Sequence, residues 1–197
     1  MSRFITLILI HMIIAIPAMT QESIQLSIAS NTELSFDGTS NVHDWDSEVT
    51  ELTGQGAFAQ SLLNGSNSRE NPVKDVKVSI PVKSIESGKN KMNDIMYDAL
   101  KAEEHPEIEY ELISSEVIQK SGNGFTLQTN GYLTVAGVTK QIALQVKGKQ
   151  LDDQTIEFTG SKNLKMTDFN VNPPKALFGA IKSGDEVDVK FTAVFSK

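Results

Sequence analysis

The stretch Gly131 to Lys147, GYLTVAGVTKQIALQVK, alternates apolar and polar residues on both sides of a small turn. Leu133 and Val135 lead into the turn; Ile142, Leu144 and Val146 follow it. A two-residue period puts these side chains on one face of an extended chain, so each run is expected to form a half-buried strand. Ala136-Gly137-Val138-Thr139 lies between them, and Gly137 can take the positive φ that a tight reversal needs. The expectation is an antiparallel hairpin, with its neighbours arranged around it.

The same period recurs along the chain. Ile24, Leu26 and Ile28 alternate, then Leu34 and Phe36, as one kinked strand or two strands broken near Asn31. Val76, Val78 and Ile80 run into Pro81, and Ile108, Tyr110 and Leu112 form a further run. Gly122-Asn123-Gly124 signals a hairpin turn before Phe125, Leu127 and Thr129. Asp152-Asp153 marks another turn before Ile156 and Phe158, and Val187, Val189, Phe191, Ala193 and Phe195 alternate without a break. Roughly eight such segments predict an all-β fold, a closed antiparallel eight-stranded barrel. An interior of that size is either filled by side chains or holds one slender ligand, and alternation serves both.

One helix is expected over Gly88 to Ala102. Met92, Ile95, Met96, Ala99 and Leu100 fall on one stripe. Ser87 is expected to cap its start, and His105-Pro106 to stop it. Such a stripe packs on a core; placed at a barrel mouth, Met92 and Met96 would give adaptable contacts to a flexible ligand.

Charge and targeting narrow the setting. Residues 1–20 read as a secretory signal peptide, with Arg3 before an apolar run from Phe4 to Ala18, short for a membrane span of ~20 residues. Residues 21–197 are then expected as one domain. Removing Arg3 from the 18 basic residues leaves 17 against 25 acidic, a net charge of about −8. Such a balance argues against nucleic acid as a partner and against lasting adhesion to anionic lipid. The chain has no cysteine, so disulfides and thiolate chemistry are out. Asn64 to Pro72 is the clearest surface loop.

Catalytic signatures are thin. Gly54-x-Gly56-x-x-Ala59 fits a loose dinucleotide fingerprint with Asp75 beyond it, but a turn-rich loop follows where a βαβ unit needs a helix. Glycines at a barrel bend or bulge explain it better. Beyond the leader the histidines are His43 and His105, and HExxH, GxSxG and GxxxxGK[ST] are all missing. Asp44 and Asp46 flank Trp45 as solvated carboxylates, and Asp168 reads as a turn or capping residue. Catalysis and metal binding are not expected.

Four stretches together resemble the YceI-like family of bacterial periplasmic proteins. They are the Gly131–Lys147 strand pair, GTSNVHDWD at 38–46, HPEIEY at 105–110, and the closing NLKMTDFNVNPPKALFGAIKSGDEVDVKFTAVF. The chain departs from the family at YDALKAEE, where an aromatic-rich segment is common. The resemblance implies a lipocalin-like barrel that encloses a polyisoprenoid chain lengthwise. The large apolar and aromatic residues in strand or mouth segments are then the candidate contacts: Phe36, Trp45, Tyr110, Leu133, Val135, Phe169, Phe178 and Phe191, with His43. Trp45 and His43 equally suit a core plug and a hydrogen-bonded structural residue. No cofactor is expected beyond a bound isoprenoid-type lipid, polyprenyl or quinone-like. The expected partners are that lipid or another long-chain lipid and a transient membrane contact; a homodimer is compatible. The competing expectation is a periplasmic or secreted structural or interaction module with a filled barrel, linked to envelope stress.

Overall fold

A computed structural model describes residues 23–63 and 71–197 of the chain. The expected leader and residues 64–70 of the expected loop lie outside the described residues. Twelve strands follow in order: β1 Ser23–Ile28, β2 Glu33–Ser40, β3 Trp45–Val49, β4 Thr53–Ala59, β5 Val73–Pro81, β6 Ile85–Glu86, β7 Glu107–Ser121, β8 Gly124–Val135, β9 Val138–Asp152, β10 Thr155–Lys165, β11 Lys175–Ala176 and β12 Ile181–Ser196. Two helices interrupt them, α1 Gln60–Leu63 and α2 Asn90–Ala99.

The barrel closes because β1 pairs with both β4 and β12. The circuit β1-β4-β5-β7-β8-β9-β10-β12 returns to β1 with every neighbour antiparallel. It is the eight-stranded up-and-down barrel that the alternation predicts. The first strand breaks at Ala29–Thr32, and its second half, β2, stays on β12 while turning to pair with β3. β3 in turn pairs with the short β6. The Gly54/Gly56 segment is plain strand with a register shift between Gln55 and Ala57, so the glycines mark a bulge.

The opening hairpin forms as expected. β8 and β9 pair from Gly124↔Lys149 to Val135↔Val138, leaving Ala136 and Gly137 as a two-residue turn. Both have positive φ, 48° and 79°, the pattern whose twist matches that of the flanking strands. Gly137 has a second constraint, since a Cβ there would lie 2.5 Å from the His105 ring.

The two ends differ. At the lower end Leu26, Phe58, Val76, Leu127, Ile156, Phe158 and Phe195 form the largest buried cluster, which Leu62 of α1 joins. At the upper end α2 lies over the barrel with no fully buried residue. The Tyr97 hydroxyl anchors it, reaching the carbonyls of Lys83 and Ile85 at 3.0 and 2.9 Å. Ser87 does not cap this helix. Its N–H and hydroxyl both donate to Asn93 Oδ1, and Lys89 occupies the cap position without a side-chain bond. Nor does His105-Pro106 end it. Lys101 takes φ 55°, and Lys101 and Ala102 N–H donate to the Asp98 and Tyr97 carbonyls at 3.1 and 2.9 Å. That is a Schellman ending, with lysine where glycine is usual.

Candidate functional site

The strands enclose a cavity of about 650 Å³ that runs from the lower aromatic cluster to the upper mouth. Its wall is the inward set of the alternation. Val187, Val189, Phe191, Ala193 and Phe195 of β12 all face it, as do Ile142, Leu144 and Val146 of β9. Phe58, Phe158 and Phe195 make the floor; Met92, Ile95, Met96, Ala99 and Leu100 of α2 make much of the roof.

Eight of the nine sequence-derived candidates come together here: Phe36, His43, Trp45, Tyr110, Leu133, Val135, Phe169 and Phe191 all line the cavity. Phe178 does not. Leu177, Phe178 and Gly179 have φ values of 49°, 54° and 87°, and this left-handed run carries the Phe178 ring fully into solvent. Phe169 is the most enclosed of the eight, packed with Ala136 and Val171 beneath the end of α2. Trp45 is half-buried at the mouth, with Nε1 donating to the Thr39 carbonyl at 3.0 Å and its ring over Gly38. A Cβ on residue 38 would overlap that ring, so the glycine is required by close approach. His43 is exposed on the rim, with Nδ1 2.9 Å from the Asp44 carbonyl oxygen.

Polar groups inside are few. Burial pushes the Tyr110 phenol up from its ordinary value, and its hydrogen bond with Thr129 offsets part of the rise. The Thr129 hydroxyl in turn lies 3.2 Å from the Leu144 carbonyl. These polar atoms satisfy one another and leave the wall apolar.

Every charged side chain lining the cavity is a lysine: Lys89, Lys91, Lys162, Lys165 and Lys175. Acidic residues outnumber basic ones 25 to 18 in the chain, so this rim runs against the overall balance. Lys162 sits deepest, half-buried, at the position that follows Ile156, Phe158 and Gly160 on the inward face of β10. It stands where the wall parts. The β9–β10 ladder ends at Gly160↔Val146, while β9 stays on β8 to Val138 and β10 stays on β12 to Lys165.

The sequence-derived contacts omitted Ile142, Leu144, Lys162 and the paired Val187 and Val189. The alternation could have supplied four of them, and counting in twos from Ile156 reaches Lys162. Asp168 lies in the turn Met166–Phe169, as its position suggested, but the turn is not tied by it. Asp185 does the tying, accepting from Thr167 N–H at 2.9 Å and from its hydroxyl at 2.6 Å. Among the described residues no three of His, Cys, Asp and Glu are grouped to hold a metal.

A closed antiparallel barrel with an apolar interior and a helical roof defines a lipocalin-like architecture. The YceI-like domain profile matches residues 26–195, and the chain belongs to that family. Among solved structures it resembles BcnA of Burkholderia cenocepacia, at 20% identity and TM-score 0.65, covering 83% of this chain and 95% of that one. It also resembles a polyisoprenoid binding domain from Saccharophagus degradans implicated in plant cell wall breakdown, at 16% identity and TM-score 0.63, covering 87% and 97%. The YCEI protein of Campylobacter jejuni follows at 17% identity and TM-score 0.57, covering 77% and 84%. None of the curated proteins matches.

Proposed function

We propose that this chain binds one long-chain isoprenoid-type lipid, polyprenyl or quinone-like, inside the barrel, and carries or sequesters it in the cell envelope after export to the periplasm or secretion. One observation carries the reading: the 650 Å³ apolar cavity continuous from the aromatic floor to the mouth. That volume lies within the ~300–1,000 Å³ of ligand pockets. A dry apolar cavity of ~150 Å³ already accepts benzene, so this one has room for a chain several times larger. The likeness to the polyisoprenoid binding domain from Saccharophagus degradans supports the lipid class.

The action proposed is binding without catalysis. The cavity's tyrosine and threonine bond to each other, and the rim holds lysines and His43, whose Nδ1 lies against the Asp44 carbonyl oxygen and whose backbone, not its ring, meets the Ser40 hydroxyl. Energetics favour a reversible carrier. Burying hydrocarbon from water is worth ~0.8 kcal/mol per CH₂. A lipid drawn from a bilayer only exchanges one apolar setting for another, so tail burial is nearly neutral and groups at the mouth select the head.

Protein purified from its native envelope, examined by native and denaturing mass spectrometry, tests this. The expected result is a mass excess that disappears on denaturation and yields an extractable lipid ion. Protein always recovered at its bare mass, and unable to take up isoprenoid quinones or polyprenyl lipids afterwards, would instead indicate an interaction module.

A further inference from the structure

Above the cavity mouth, the loop between β2 and β3 and the turn at Leu177–Gly179 are joined into one tip. Asn41 joins them. Its N–H donates to the Lys182 carbonyl at 3.1 Å, its Nδ2 to the Ala180 carbonyl at 2.9 Å, and its Oδ1 accepts from Lys182 N–H at 2.8 Å. The Ser40 hydroxyl oxygen accepts from the N–H groups of Val42 and His43 and donates to the His43 carbonyl at 2.7 Å. The tip is therefore a hydrogen-bonded platform.

What it holds outward is apolar. Val42 is 60% exposed, Leu177 69%, and Phe178 fully exposed. Leu177 and Phe178 are successive bulky residues in the left-handed region, a conformation that is unfavourable for each. The chain holds this unfavourable backbone and a phenyl ring in water together, and nothing in the packing of the described residues uses that ring.

Charge supplies a second, independent observation. Lys175 and Lys182 stand directly opposite each other across β11 and β12. Like charges in facing positions repel. The ion pairs among the described residues use Lys77, Lys83 and Lys190, so neither of these two is paired. The carboxylates nearest the tip along these strands are Asp44 and Asp46, exposed on either side of Trp45, and Asp185 and Glu186 at the β12 irregularity, where the Asp185 oxygens are taken by Thr167.

We infer that this tip docks on an anionic lipid bilayer, with Val42, Leu177 and Phe178 in the interfacial zone and Lys175 and Lys182 against lipid phosphates. The lipid-binding reading gives the docking its purpose; the geometry stands without it. Leu177 lines the cavity as well as the tip, so docking sets the mouth against the bilayer. A tail then passes between two apolar settings without crossing water. The acidic remainder of the protein opposes wide adhesion, so contact is local, salt-sensitive and reversible.

The test is flotation of the full exported chain with vesicles of phosphatidylglycerol and phosphatidylcholine, against phosphatidylcholine alone. The protein is expected to float with the anionic vesicles at low salt and to be released by about 0.5 M salt. Phe178→Ser is expected to weaken binding about tenfold. Lys175→Gln with Lys182→Gln is expected to weaken it roughly twentyfold to thirtyfold, at ~1 kcal/mol for each lysine near the surface. Circular dichroism confirms that these exposed sites leave the fold intact. The proposal is overturned if the protein does not float, floats equally without anionic lipid, or floats equally as Phe178→Ser. It is also overturned if sedimentation shows a dimer that Phe178→Ser dissolves, which would give the tip to a second copy. Lipid uptake measured separately keeps the two readings apart: a protein that floats but never takes up lipid keeps the docking and loses the cargo.

Discussion

At the lower end of the barrel Phe58, Phe125, Phe158 and Phe195 pack with neighbouring ring centroids 5.0 to 6.0 Å apart. At the upper end Phe36 and Trp45 face empty space across the cavity. Both ends use the same inward alternation of large apolar residues, so composition does not separate a plug from a void. Closure does. The lower strands are laddered all round, with β1 on β12 and β9 on β10, and Leu62 of α1 joins the cluster from outside. Above Val146 and Gly160 the β9–β10 ladder stops and the wall spreads. The roof there is a helix held by Tyr97, by half-buried apolar contacts, and by the Schellman ending at Lys101.

The largest effect should separate these ends by stability. Phe58 is 1% exposed with aromatic neighbours on two sides. Phe58→Ala is expected to lose about 3–5 kcal/mol, the transfer term plus a cavity. Phe36→Ala removes a half-buried upper ring that already borders a void, and about 1–2 kcal/mol is expected. Urea unfolding of both variants reads the difference; equal losses would mean that the upper barrel is packed after all.

Adding volume inverts the comparison. Leu127 is 1% exposed in the lower cluster, so Leu127→Trp overpacks it and should cost about 1–3 kcal/mol. Ile142 points into the cavity. Ile142→Trp should stay within about 1 kcal/mol of the parent, since the indole fills space already empty. The same change should abolish lipid uptake in the mass-spectrometric assay. Ile142→Trp that destabilises as much as Leu127→Trp would show that the cavity collapses in solution.

Much of the barrel was legible because its signal is local. The turn at Ala136-Gly137, the break after Ile28 and the unbroken β12 each follow from a period of two and a turn residue. Five of the nine candidate contacts, Phe36, Tyr110, Leu133, Val135 and Phe191, came from the same rule, since inward strand positions line whatever space exists. The missed features depend on partners far away in sequence. Phe178 counts among the expected strand or mouth contacts, but three successive positive-φ residues turn it outward. The turn that carries Asp168 is tied from a distance, since Thr167 bonds Asp185, eighteen residues on. The end of the β9–β10 ladder is a fact about two strands and leaves no mark in either.

Acid should draw a last and smaller distinction between the ends. Asp152 and Asp185 both have carboxyls held below the ordinary 3.8 by hydrogen bonds. Asp152 bonds its own hairpin turn, chiefly Gln154 N–H and then Thr155. Asp185 is held down first by the Thr167 hydroxyl and N–H, with a further contribution from Lys165, and so ties Met166–Phe169 to the start of β12. A depressed carboxyl stabilises the fold above its unfolded value and loses that contribution as pH falls through the folded value. The loss therefore falls below pH 3.8 at both sites, but its structural reach differs. Protonating Asp152 loosens one turn at the floor. Protonating Asp185 frees the segment that seats Phe169 under α2. Trp45, the chain's single tryptophan, stands on that same mouth. Its fluorescence should shift below pH 3.8 before far-ultraviolet circular dichroism changes, and Asp185→Asn should show the shifted signal already at neutral pH. Coincident fluorescence and dichroism transitions, unchanged in Asp185→Asn, would mean that the two ends unfold as one unit.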